Sequence, residues 1–141
     1  MRLEKSYRLI PREMSIEYSA YESGLDRFVK LDKENDFIGK SALKEWQDRG
    51  PSNGFVTLEV LGVVDADARG SEAIYKDGEV VGRATSGGYG WRCKKSLALG
   101  LVRLELAALG TELEIEILGE RYKAIVIEES PFDSTNECLR S

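Results

Sequence analysis

The strongest constraint on this chain is an alternation near its C-terminal end. In Glu112-Leu113-Glu114-Ile115-Glu116-Ile117 every apolar side chain falls on one face of an extended segment and every carboxylate on the other. That is the period of a strand with one dry and one wet face. Gly119-Glu120 can reverse the chain into Tyr122-Lys123-Ala124-Ile125-Val126-Ile127, a second segment of the same kind. Upstream, Ala73-Ile74-Tyr75 and Glu79-Val80-Val81-Gly82 flank Asp77-Gly78, a pair that tolerates the positive φ of a tight hairpin turn. Phe55 to Leu61 reads as another strand, with Phe55, Leu58 and Val60 inward if a bulge or full burial intervenes. Ser96 to Val102 is an apolar run suited to a strand covered on both faces.

Five or six short strands joined by tight turns close most economically as an antiparallel barrel or sandwich, which removes exposed edges. The Glu112, Glu114 and Glu116 stripe is then a solvated outer face. At 141 residues and 42% apolar content, the chain suits one ordinary domain, or a small one with an appendage.

The composition changes at Gly50-Pro51-Ser52-Asn53-Gly54. Residues 1–50 balance their acidic and basic side chains, so the net charge of -5 arises from residues 51–141. The first half is irregular, and Pro11 argues against one long helix through residues 3–20. Arg27-Phe28-Val29-Lys30-Leu31 suggests a short strand. Ser41 to Asp48 suggests a helix with Leu43 and Trp46 on its inner face, stopped by Gly50-Pro51.

Function classes are narrowed by what is scarce. The sequence holds no histidine, so Ser-His-Asp and Cys-His chemistry has no base within this chain. Cys93 and Cys138 form no C-x-x-C, so neither a zinc nor a dithiol motif is expected, and two free thiols are. An acidic chain with no basic stripe argues against nucleic acid or an anionic membrane as partner. Without a signal-like or spanning apolar run, a soluble cytoplasmic protein is the simplest expectation.

Two candidate sites remain. Ser86-Gly87-Gly88-Tyr89-Gly90-Trp91-Arg92-Cys93-Lys94-Lys95 reads as a loop between two strands. Its glycines permit close backbone approach, its aromatics offer stacking faces, and its cations suit an aromatic ligand bearing carboxylates. The same residues also fit a long connection with solvated cations. The second group is Arg2, Glu4, Tyr7, Arg8, Tyr18, Tyr21 and Glu22. Its carboxylates and phenols can hydrogen-bond a heterocycle, or serve as ion pairs and half-buried tyrosines within the fold.

Several segments, taken together and in order, resemble a family. Arg2-Leu3-Glu4-Lys5-Ser6-Tyr7-Arg8 is similar to the RLE-x-G-Y-R segment of glycine cleavage T proteins and of the C-terminal regions of dimethylglycine and sarcosine dehydrogenases. Tyr21-Glu22-Ser23-Gly24-Leu25, Val29-Lys30-Leu31-Asp32-Lys33 and Asp36-Phe37-Ile38-Gly39-Lys40 follow the same order. So do Gly82 to Gly90 (G-x-x-T-S-G-x-Y-G), Lys95 to Val102 (K-S-L-A-L-G-Y-V) and Pro131-Phe132-Asp133-Ser134-Thr135-Asn136. Ile10-Pro11-Arg12-Glu13 departs from the family, which commonly has glycine and an acidic residue there.

The resemblance implies a mainly β fold with a short α/β N-terminal segment and a small antiparallel β-barrel. Residues 1–50 would be the end of a folate-binding domain and residues 54–141 the appended barrel. It implies tetrahydrofolate as one-carbon acceptor, with FAD only where a dehydrogenase domain is present elsewhere. It implies a folate-site role for Arg2, Tyr7 and Glu22, with Tyr89, Trp91 and Arg92 closing the pocket from the barrel. The family's catalytic aspartate lies upstream of the matched segments, so no catalytic residue is expected here and the chain is expected to be inactive alone. The expected partners are folate and an N-terminal domain or partner chain. A noncatalytic barrel that docks a partner is the other class of function the sequence leaves open.

Overall fold

The computed structural model describes residues 2–140. Six strands, β1 (Asn53–Val60), β2 (Ala73–Lys76), β3 (Glu79–Gly90), β4 (Lys95–Arg103), β5 (Glu112–Ile117) and β6 (Glu120–Ile127), form a closed barrel in the order β1-β4-β3-β2-β5-β6. Every pairing is antiparallel, and β6 returns to β1. The expected mainly β barrel is therefore what the chain forms.

Local chemistry accounts for the turns. Asp77 and Gly78 both have positive φ (52° and 84°), as do Leu118 and Gly119 (53° and 85°). A two-residue turn of this hand matches the twist of the strands it joins. The second reversal is thus one residue earlier than Gly119-Glu120, and Glu120 opens β6.

The interior is filled by Val56, Leu58, Val60, Ile74, Ala84, Ala98, Val102, Leu113, Ile115, Ile117 and Val126, with Ala124 beside them. On β1 the inward positions are Gly54, Val56, Leu58 and Val60, all buried and alternating without a bulge. Phe55 is on the outer face, where the Arg8 guanidinium lies 3.8 Å from its ring centroid. Thr57, also outward, is buried because Ser6 covers it, their hydroxyls 2.8 Å apart.

Leu97 through Val102 on β4 are all buried, as a strand covered on both sides requires. Ala98, Gly100 and Val102 pair with the inward residues of β1. The outer face is covered by the N-terminal segment, whose 3-10 turn at Leu3–Lys5 packs on β3 and β4.

Three expectations are corrected. Arg27–Leu31 is not a strand: Asp26–Phe28 is a 3-10 turn and the chain then runs without a ladder partner. The helix α1 (Lys40–Arg49) is where the apolar spacing placed it, but none of its residues is buried, and Trp46 stacks under Arg49 (4.0 Å) instead of entering the core. Ser86 to Gly90 is the end of β3, and only residues 91–94 form the connection to β4. The glycines there read as a loop, yet they are ladder positions, and at Gly87 a second stretch of backbone presses close. A Cβ on Gly87 would meet the Ala68 carbonyl oxygen at 2.4 Å.

Candidate functional site

Two buried carboxylates fix the N-terminal segment to the barrel. The ladder of β3 and β4 shifts register between Ala84 and Ser86, leaving Thr85 as the extra residue of a bulge. A bulge re-aims side chains. Here it sends both hydroxyls to the fully buried Glu13, whose Oε1 accepts from Thr85 Oγ1 (2.5 Å) and Ser86 Oγ (2.6 Å). Its Oε2 accepts from the Leu9 N–H (2.8 Å) and lies 3.5 Å from Arg2 Nη1. Burial opposes the charge, but these donors outweigh it and hold the carboxyl below its ordinary pKa.

Glu4 plays the equivalent part at the β3–β4 connection. Its Oε1 accepts from the N–H groups of Arg92 (2.6 Å) and Cys93 (3.3 Å). Burial raises its pKa, and hydrogen bonds that include these two backbone N–H groups more than offset that, with a net shift downward. The turn residues Trp91 to Lys94 are thereby tied to the segment carrying Arg2 and Tyr7.

The result is a cavity of about 510 Å3 lined by Arg2, Glu4, Lys5, Tyr7, Arg92 and Phe132, with Asp133 and Cys138 at its edge. Its volume is in the range of small-molecule sites. Most of its charge is already matched. Lys5 Nζ donates to Asp133 O (2.6 Å) and Asn136 Oδ1 (2.7 Å), and Arg2 donates to Tyr7 O (2.7 Å). Arg92 differs: its guanidinium lies 5.5 Å from the Phe132 ring centroid and makes no ion pair among the described residues. An aromatic wall with one uncommitted guanidinium is suited to a flat ligand carrying a carboxylate.

Of the residues singled out in the sequence, Arg2, Tyr7 and Arg92 meet at this cavity. Tyr89 and Trp91 pack edge to face on each other (5.0 Å), with Trp91 81% exposed, and neither lines the cavity. Glu22 is elsewhere. Its buried carboxylate accepts from Asn53 Nδ2 (3.1 Å) and from Ser19 N (3.1 Å), joining the N-terminal segment to the start of β1. With both oxygens on protein donors, its role in the fold is structural. Tyr18 lies beneath Arg83 (5.3 Å). The buried Tyr21 hydroxyl is without a hydrogen-bond partner.

Lys5 and Phe132 were not singled out as site residues. Phe132 is carried in by its N–H, which donates to Glu4 O (3.0 Å). The signal was Pro131-Phe132-Asp133, a matched motif far from residue 4 in sequence. Both cysteines are free thiols. Among the described residues no cluster of potential metal ligands occurs, and no helix is long and apolar enough to cross a membrane.

Residues 54–133 match the model of the glycine cleavage T-protein C-terminal barrel domain. The chain belongs to this family. The chain is 43% identical over 129 residues to human mitochondrial dimethylglycine dehydrogenase, a match covering 92% of this chain and 15% of that protein. It is 36% identical over 129 residues to the aminomethyltransferase of Geobacillus kaustophilus, covering 90% of the chain and 34% of the relative. The crystal structure of glycine cleavage system aminomethyltransferase T from Bartonella henselae superposes with a TM-score of 0.85 over 94% of this chain and 37% of that one. At 24% identity that similarity speaks for the fold. The chain spans about a third or less of the length of these relatives.

Proposed function

We propose that this T-protein barrel, with the segment folded onto it, is the C-terminal part of a tetrahydrofolate-dependent aminomethyltransferase-like protein. The one-carbon unit would come from glycine, dimethylglycine or sarcosine. The observation that carries the reading is the convergence of Arg2, Tyr7 and Arg92 on one cavity whose free cation is Arg92. Folate joins an aromatic ring to a carboxylate tail. Phe132 and Tyr7 offer the ring a surface and Arg92 offers the carboxylate a counter-charge.

Residues 1–50 are on this reading the end of a folate-binding domain. The aspartate that polarises the reacting nitrogen comes from further sequence of that domain, so the chain by itself binds without turnover. What the residues here supply is orientation and exclusion of water, through a cavity whose other two cations, Arg2 and Lys5, are held by partners within the fold. FAD belongs to the protein only where a dehydrogenase domain accompanies it. The partners are accordingly folate and that domain or chain.

Tetrahydrofolate titration followed by tryptophan fluorescence tests the proposal, in a Trp46→Phe background so that Trp91 alone reports. Saturable quenching that Arg92→Gln weakens on the order of tenfold supports it. A flat titration favours the second reading, a noncatalytic module docking a partner chain. That reading has its own support in the exposure of Ile10 (71%) and Ile16 (106%), which flank an apolar groove with Met14 and Leu25.

A further inference from the structure

Beside Arg83 to Thr85 of β3, three arginines surround a cavity of about 260 Å3 that the folate reading does not use. Its lining includes Arg12, Arg69, Gly70, Ser71, Arg83 and Thr85. We infer that this cavity binds a phosphoryl group, as inorganic phosphate or as part of a small phosphorylated molecule.

The arrangement is constructed, not a chance crowding of long side chains. Arg12 Nη1 donates to the carbonyls of both Arg69 and Thr85, the latter at 2.9 Å. This leaves its Nη2 and Nε hydrogens for a ligand. The approach depends on Gly70 (φ 118°): a Cβ there would lie 2.7 Å from the Thr85 oxygen and 3.0 Å from Arg12 Nη1. The neighbouring residues are locked to β3, with Ser71 N–H donating to Ala84 O (2.7 Å) and Ala84 N–H to Glu72 O (2.8 Å).

Local charge favours an anion. Two carboxylates face the group: Glu17, paired with Arg83, and Glu72, whose oxygens accept from Arg69 N (2.8 Å) and Gly70 N (2.7 Å). Three guanidinium groups against these two carboxylates leave one positive charge, in a chain whose net charge is -5. The Arg69 side chain makes no ion pair among the described residues. A single guanidinium fork satisfies a planar carboxylate, whereas forks arriving from several directions suit the tetrahedral oxygens of a phosphoryl group. Ser71, at the rim with φ 80°, adds a hydroxyl donor.

The test is calorimetric titration of the full chain with inorganic phosphate, and in parallel with acetate, at one ionic strength near physiological to hold screening constant. The expected result is saturable one-to-one phosphate binding, clearly stronger than acetate binding. Arg69→Gln, which breaks no contact within the fold, lowers the phosphate affinity on the order of tenfold while leaving the thermal melt unchanged. Arg83→Gln, a second variant at a half-exposed surface pair, also lowers the phosphate affinity. Lys123→Gln, on β6, leaves binding as it was. No saturable heat with phosphate, equal binding of acetate, or an Arg69→Gln protein that binds like the parent would each overturn the inference. A phosphate response with no folate response, or the reverse, separates this site from the one proposed above.

Discussion

Replacing Glu13 by alanine removes a carboxylate that accepts three hydrogen bonds inside the protein, from Thr85, Ser86 and Leu9. Hydrogen bonds to a charged group contribute about 1.5–3 kcal/mol each. They are not additive, and burial of the carboxylate itself opposes them. Removing the acceptor also strands the buried Ser86 hydroxyl and the Leu9 N–H, while the Thr85 hydroxyl keeps the Leu99 carbonyl at 3.1 Å. Breaking a buried charged network in this way costs about 3–5 kcal/mol, a large share of the ~5–15 kcal/mol that holds a domain folded. Glu13→Gln should lose less, since its carbonyl still accepts from the two hydroxyls while its amide faces the Leu9 N–H donor to donor.

The pH dependence distinguishes this account from a simple packing defect. Glu13 has a folded-state pKa below its unfolded value, so its stabilisation is complete above the unfolded value of roughly 4.3. It is lost as pH falls through the folded pKa. Glu4 shifts in the same direction, so the parent protein weakens in acid through both groups, and only the difference from Glu13→Ala isolates one of them. Urea unfolding of parent and variant at pH 7 and pH 3 gives that difference directly. The gap should be several kcal/mol at neutral pH and should narrow in acid. A gap under about 1 kcal/mol at pH 7 refutes the magnitude expected for the lost hydrogen bonds, and a gap equal at both pH values refutes the charge argument.

Gly82→Ala should destabilise the barrel by about 3 kcal/mol or more in urea melts, because the new Cβ would meet the Leu101 carbonyl oxygen at 2.2 Å and must displace backbone. Thr57→Val should cost about 1–2 kcal/mol, since it leaves the buried Ser6 hydroxyl without the partner it has at 2.8 Å. Leu118→Asn should raise the melting temperature. Leu118 is 87% exposed and sits at φ 53° in a tight hairpin, where asparagine tolerates the left-handed conformation at a saving of about 1 kcal/mol.

The barrel was legible because alternation and turn chemistry are local signals, as in Glu112–Ile117 and Asp77-Gly78. Its closure was not, since β1 finds β4 and β6 through contacts distant in sequence. The misread positions share a cause. Ser86 to Gly90 has a loop's composition, but its glycines are strand positions that leave room for the Ala68 backbone at Gly87 and for packed side chains at Gly88 and Gly90. Trp46 lies on the apolar side of an amphipathic helix, yet nothing among the described residues buries it. Glu13 drew no attention as a site residue, because one acidic residue in an irregular segment carries no sign of the bulge that aims Thr85 and Ser86 at it.

The same contacts bear on where the folding unit begins. The composition shift at Gly50–Gly54 suggests a boundary there, but the barrel side of that boundary is incomplete without residues 4–23. Thr57 and Ser130 are satisfied by Ser6, Thr85 and Ser86 by Glu13, and Asn53 by Glu22. Arg8 pairs with Glu129 and reaches the carbonyls of Ser23 and Gly24. A barrel cut at residue 54 therefore exposes the outer faces of β3 and β4 and leaves several polar groups that now bond to the N-terminal segment without those partners. Such a fragment should show markedly weaker amide protection along β3 and β4 than residues 1–141 show, whereas excision of α1 together with its flanking exposed residues should leave that protection intact. Strong protection in the 54–141 fragment would mean that the N-terminal segment merely rests on a barrel stable without it, and the cavity between Arg2 and Arg92 would then be a property of docking and not of the fold.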